Sequence, residues 1–188
     1  MIFRPAIKSD CRIIAGLYSI SSDGVANYIW TKLGTPGENI LDVGTRRYEQ
    51  EDSVFSYRNC TIVVIDDQIA GMLVAFPMHV DPDYIEEDPV LAPVSKLEED
   101  NSYYICGMAL FPEYRGQGIG TQLLKKAEED CAKAALNKMS LVCFEQNTGA
   151  MNLYLKHGYR ETAREPVVPH PLIHYTGDAI LMIKHLKK

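Results

Sequence analysis

Apolar positions along this chain switch repeatedly between a period near two and a period near 3.6, and the switches mark its elements. IFRPAI (residues 2–7) predicts a short first strand, and Pro5 points to a sheet edge. Ser9 or Asp10 offers an N-cap for a helix to about Ser19, with Ile13, Ile14, Leu17 and Tyr18 on one face. Ser21-Ser22-Asp23-Gly24 breaks it. Helical patterning returns over about Val25–Leu33 and about Gly44–Glu51, parted by Gly34-Thr35-Pro36-Gly37. CTIVVI and IAGMLVAF flank Asp66-Asp67-Gln68 and predict a hairpin that Pro77 ends. Residues 77–102 break the pattern, with four prolines from Pro77 to Pro93 and eight carboxylates against one lysine from Asp81 to Asp100. A long surface loop with room for a short helix is expected there. Tyr103–Leu110 reads as a strand, about Gly118–Leu136 as a helix with Ile119, Leu123, Leu124, Ala127 and Cys131 on one face, and residues 139–144 as a strand. Asn147–His157 reads as a helix closed by Gly158, Tyr159-Arg160 opens a strand, and residues 178–186 form the last one.

The stretch Ile105–Thr121 carries the strongest chemical signal: strand, Pro112, then Arg115-Gly116-Gln117-Gly118-Ile119-Gly120, then helix. Glycines at alternate positions let backbone N–H groups turn inward. The following helix adds its orphan N–H groups and positive dipole end. Together these form a cradle for a phosphorylated ligand. The pattern is not a dinucleotide fingerprint, because Thr121 occupies the place of the third glycine, and no Gly-Lys-Ser/Thr follows to make a P-loop.

Composition narrows the class. A length of 188 residues with 46% hydrophobic and 23% charged positions suits one domain with a real core. A formal net charge of −6 argues against a nucleic-acid partner. No run of 18 apolar residues predicts a membrane span, and MIFRPAIKSD lacks the apolar core of a secretory leader. Five cysteines without a CxxC pair predict reduced thiols in the cytoplasm, with Cys106 and Cys143 as small hydrophobes. The five histidines show no metal-ligand spacing, so no metal site is expected.

A second motif follows the first: Asn147-x-x-Ala150-x-x-Leu153-Tyr154-x-x-x-Gly158-Tyr159. In this order and spacing the two motifs resemble those of the GNAT superfamily of acyl-CoA-dependent N-acyltransferases. The tight match covers about residues 104–160, and FRPAIKSD resembles the family's opening strand and turn. The resemblance implies a single α/β (α+β) domain over residues 1–188, with a central mixed, mostly antiparallel sheet splayed at the acyl-CoA site and helices on both faces.

The resemblance also implies roles. Amides of Gly116, Gln117, Gly118, Ile119, Gly120 and Thr121 would hold the coenzyme A pyrophosphate, with Arg115 adding charge. Met108, Ala109 and Leu110 would line the pantetheine arm, and an N–H near Leu110 would polarise the thioester. Tyr154 matches the family's usual proton donor to the departing thiolate, and Asn147 would bond the arm or cap its helix. On residue type alone, Tyr154 also reads as a core aromatic. Members that acetylate protein N-termini often carry a glutamate where Val142 stands, so no general base follows; waters, Glu145 or a residue of the acidic loop could serve. Asp81, Asp83, Glu86, Glu87 and Asp88 could draw in a cationic amine or simply be solvated. Phe55–Asn59 could line the acceptor pocket or form a turn. The expected activity is acetyl transfer from acetyl-CoA to a primary amine of a small molecule or peptide in a ternary complex. A different acyl-CoA, or a non-catalytic CoA-binding module, is the alternative. A homodimer is left open, the final strand being available to a partner's edge.

Overall fold

A computed structural model describes residues 1–187. Its strands are β1 (Ile2–Pro5), β2 (Cys60–Ile65), β3 (Gln68–Met78), β4 (Ser102–Leu110), β5 (Lys138–Phe144), β6 (Arg160–Pro166) and β7 (Asp178–His185). Its helices are α1 (Cys11–Ser21), α2 (Val25–Leu33), α3 (Ile40–Glu49), α4 (Ala92–Ser95), α5 (Ile119–Lys133) and α6 (Thr148–Lys156). Hydrogen-bonded neighbours run β1-β2-β3-β4-β5-β7-β6, an open seven-stranded mixed sheet. The pairs β1–β2, β2–β3, β5–β7 and β6–β7 are antiparallel, and β4–β5 is parallel at Tyr103↔Met139 and Tyr104↔Ser140. The fold is the mixed α/β class that the motif resemblance implies.

The Cα framework divides into two units, Met1–Val74 with Gly107–Ile119, and Ala75–Cys106 with the chain from Gly120 onward. In the first unit, α1 buries Cys11, Ile14, Ala15 and Leu17, an i, i+3, i+4 stripe. Asp23 (φ 51°) and Gly24 (φ 99°) enter the left-handed region and end it. The side chain of Asn39 accepts from the Leu41 amide at 2.9 Å, so α3 begins at Ile40, four residues before the expected Gly44. Tyr18 gathers the helices, its ring 6.3 Å from Trp30, 5.7 Å from Tyr48 and 6.4 Å from Phe55. The β2–β3 hairpin turns on Asp66 (φ 47°) and Asp67 (φ 60°), the doubly left-handed geometry of a tight hairpin.

In the second unit, α5 fully buries Leu123, Leu124, Ala127 and Cys131. It stops at Lys133, short of the expected Leu136, because Ala135 turns left-handed (φ 58°) and the Leu136 amide bonds back to Cys131 at 3.0 Å. Pro77 does not end β3, which runs on to Met78. The β2 ladder has already stopped at Val74, and Met78 turns its carbonyl to the Asn101 amide (3.1 Å). Pro77 therefore faces the opposite edge, where its missing N–H costs no ladder bond.

The final strand is not an edge strand as expected: β7 pairs with β5 on one side and β6 on the other. The edges are β1, which carries Pro5, and β6, whose RETAREP sequence is largely exposed and alternates charge.

Candidate active site

Leaving β4, the chain makes a short 3-10 turn at Pro112–Tyr114 and enters the glycine turn. Gly116 (φ 72°) and Gly118 (φ 76°) both adopt left-handed backbone, and a Cβ at either would meet nothing within 4 Å. Open space with a conformation that only glycine takes freely marks a turn built for its backbone. Arg115, Gly116, Gln117 and Gly118 are all exposed. No backbone acceptor takes the amides of Gly116, Gln117 or Gly118 among the described residues. Two side chains brace the turn: Arg115 Nε donates to the Leu110 carbonyl at 3.1 Å, and Gln117 Nε2 to the Glu113 carbonyl at 3.0 Å. Ile119 is buried and starts α5.

Met108, Ala109 and Leu110 form the end of β4, with Ala109 buried. Gly71, which sequence reasoning passed over, sets their position. A Cβ there would lie 2.3 Å from the Ala109 carbonyl oxygen and 2.5 Å from Leu110 Cδ2. The β2–β3 register shifts beside it, from Val63↔Gly71 to Val64↔Ile69, and the bulged residue Ala70 accepts the Phe111 amide at 3.0 Å. Gly107 plays a similar part toward α1, since a Cβ there would meet the Tyr18 ring at 2.8 Å. A glycine inside a strand is the only trace such approaches leave in a sequence.

In the second unit, Gly120 and Thr121 open the body of α5 against α6. A Cβ on Gly120 would lie 3.2 Å from Leu153 Cδ2, and Thr121 Oγ1 shares a hydrogen bond with His157 Nε2 at 2.9 Å. Asn147 caps α6, its Oδ1 accepting the Ala150 amide at 3.2 Å. Gly158 closes the helix with φ 87°. Tyr154 is 8% exposed and meets Tyr159 edge-on at 5.7 Å between ring centroids. It also acts electrostatically on the Tyr104 phenol, as do Cys106 and Glu98. Burial first, then these neighbours, pushes the Tyr104 phenol well above its ordinary value.

The carboxylates sort into two kinds. Asp81 accepts the Asp83 amide, Asp88 the Val90 amide, Glu86 the Asp88 amide and the Tyr84 hydroxyl, and Asp100 the Val80 amide. The acidic segment thus folds on its own Asx-type turns. Glu99 pairs with Lys138. Glu145 is also engaged, accepting the Asp178 amide at 3.1 Å with Arg164 at 3.5 Å, while Gly177 leaves room for its carboxylate. Glu98 is different: half-buried, with no cation or donor on its carboxylate among the described residues. Desolvation, with Glu86 nearby, holds its carboxyl above the usual range. Phe55–Asn59 forms a turn held by Tyr57 and Arg58 on Glu51 and by Arg47 over the Phe55 ring at 4.1 Å. No group of three His, Cys, Asp or Glu side chains suited to a metal occurs among the described residues.

The acetyltransferase (GNAT) family model matches residues 29–159, and the chain belongs to that family. Among solved structures, an N-acetyltransferase from Staphylococcus aureus Mu50 superposes with TM-score 0.66 at 20% identity, covering 98% of this chain and 100% of that one. YncA from Salmonella typhimurium, solved with its cofactor acetyl-CoA, gives 0.65 at 17% identity, covering 100% and 95%. At these identities the likeness is one of fold. Among curated proteins, YxbD of Bacillus subtilis is 34% identical over 38% of this chain and 53% of its own length. The thialysine N-epsilon-acetyltransferase of Mus musculus is 37% identical over 27% of this chain and 30% of its own. The chain therefore spans about half or less of the curated relatives it matches.

No helix among the described residues is long and apolar enough to cross a membrane.

Proposed function

We propose that the chain works as a single N-acetyltransferase domain, moving the acetyl group of acetyl-CoA to a primary amine by direct attack. The observation that carries this reading is the Arg115–Gly118 turn: two left-handed glycines and exposed amides lead straight into a 15-residue helix. That geometry suits a diphosphate, whose charge the turn amides, the first α5 amides through Thr121 and the Arg115 guanidinium would share. Met108, Ala109 and Leu110 pair with the pantetheine arm, and a backbone N–H near Leu110 polarises the thioester carbonyl. Asn147 holds the start of α6 in place. From that helix Tyr154 donates the proton that the departing thiolate needs. The co-substrate bound by YncA and the acyl acceptor named for the thialysine enzymes agree with this assignment. The acceptor class is an amine of a small molecule or peptide, cationic in water, and the setting is the cytoplasm.

Calorimetry with CoA and acetyl-CoA tests the cradle, and Arg115→Ala is expected to weaken binding by roughly tenfold or more, the loss of one charge-assisted contact. Thiol release with an amine panel tests the reaction. Tyr154→Phe should lower kcat with the acetyl-CoA KM little changed. Full activity in Tyr154→Phe would return this residue to aromatic packing, and absence of CoA binding at millimolar levels would remove the assignment altogether.

A further inference from the structure

A hydroxyl protonates a departing thiolate only when it is held within hydrogen-bond reach of the sulfur, so the axial position of the helix that carries Tyr154 matters to the reaction. Resting on the acetyltransferase reading above, we propose that His157 is a positioning residue that sets this position by tying the end of α6 to Thr121. The residues concerned, Gly120, Thr121, Leu153, Tyr154, His157 and Tyr159, all lie in the second unit. Thr121 Oγ1 and His157 Nε2 share a half-buried hydrogen bond of 2.9 Å between positions 36 residues apart. The backbone of the same histidine turns the other way: its amide donates to the Leu153 carbonyl at 3.1 Å and the Tyr154 carbonyl at 3.0 Å. His157 thus holds the first turn of α5 with its ring and the peptide of Tyr154 with its main chain. The two helices meet closely at this point, since a Cβ on Gly120 would lie 3.2 Å from Leu153 Cδ2.

The other contacts around Tyr154 are of a different kind. Tyr159 meets it edge-on at 5.7 Å between ring centroids, and the Tyr159 hydroxyl is buried without a hydrogen-bond partner. That contact, like Leu153 against Gly120, is apolar packing. Packing is non-directional and fixes the separation of two helices better than their axial offset, whereas a hydrogen bond holds two atoms within a narrow range of distance and angle. The Thr121–His157 bond supplies that missing restraint. A hydroxyl can donate or accept, and so can Nε2 according to tautomer, so the link forms with either tautomer of the ring. It engages the Thr121 side chain only, which leaves the Thr121 amide to the cradle.

The test compares His157→Leu, which keeps apolar bulk, and His157→Gln, whose amide can reach the same hydroxyl, using acetyl-CoA with spermidine, lysine and a lysine-containing peptide. His157→Leu should lower kcat roughly 10–100-fold, the effect of a small misplacement of a reacting group. Its calorimetric affinity for CoA should stay within about twofold, because the turn amides remain. His157→Gln should recover part of the lost kcat. In a Tyr154→Phe chain, where no hydroxyl is left to place, His157→Leu should cost little more. Thr121→Val breaks the same bond from the α5 side and serves if His157→Leu fails to fold; it should lower kcat, and in the chain without ligand it should shift the His157 imidazole 15N resonances. An unchanged kcat in His157→Leu, an equal loss in the Tyr154→Phe chain, a fall in CoA affinity in step with kcat, or unmoved imidazole resonances in Thr121→Val would each overturn the positioning role and leave the acetyltransferase reading intact. Full activity in Tyr154→Phe alone would do the same. Failure of the unaltered chain to acetylate any amine would remove that reading, and the role of His157 with it.

Discussion

Asp10 and Glu98 are both carboxylates withdrawn from water, and their surroundings treat them in opposite ways. At the β1–α1 corner, Arg4 grips Asp10 with two bonds of 2.7 and 3.0 Å, and the Ile7 amide adds a third at 2.8 Å. Burial alone would raise the Asp10 carboxyl, but the Arg4 and Ile7 contacts outweigh it and hold it below the usual range. Ahead of β4, Glu98 meets desolvation and a neighbouring Glu86 with no donor to offset either, and its carboxyl rises. The first arrangement ties down a chain corner. The second leaves the charge of a carboxylate uncompensated, and the folded chain gives up stability for it.

The contrast can be pressed hardest at Arg4. Arg4→Met strands Asp10, only 6% exposed, without its cation, and should cost about 3 kcal/mol or somewhat more by chemical denaturation at neutral pH. Asp10→Asn removes the charge but leaves Arg4 able to reach water, so a loss of about 1–2 kcal/mol is expected. Both penalties should shrink in acid. A depressed carboxyl contributes its stability above the unfolded-state value and loses it as pH falls through the folded-state value. Glu98 has the reverse sign. Its raised carboxyl destabilises the folded chain once the pH passes the unfolded-state value. Glu98→Gln should therefore melt slightly higher than the unaltered chain at neutral pH, the smallest of these effects, and the gain should disappear in mild acid. A lower melting temperature for Glu98→Gln at neutral pH would show that Glu98 holds structure after all and erase the contrast.

The two regions also differ in how they could be read beforehand. The glycine turn was legible because its conformation is set by glycines written contiguously as Arg115-Gly116-Gln117-Gly118 before an amphipathic run. Asn147 was legible as a cap, since capping reaches only three residues along the chain. Asn39 carried the same kind of signal before Ile40-Leu41-Asp42, and reading it would have placed the start of α3. Glu98 was not legible. Among eight acidic residues of one segment, nothing in the order of side chains marks the one that loses its water without gaining a donor. The acidic segment as a whole reads as a charge run, yet Asp81, Glu86 and Asp88 spend their oxygens on their own turns.

Local order in the amino-acid sequence was enough for the element sequence, the tight hairpin at Asp66-Asp67, the glycine turn before α5 and the family motifs, because each depends on residues only a few positions apart. Tertiary structure alone decided the rest: that β7 is enclosed by β5 and β6, that Gly71 must lack a side chain where Ala109 passes, and which carboxylate of the acidic segment loses water without gaining a donor. These depend on groups brought together from distant parts of the chain. Burial and Coulomb interactions act through space, whatever the separation along the backbone.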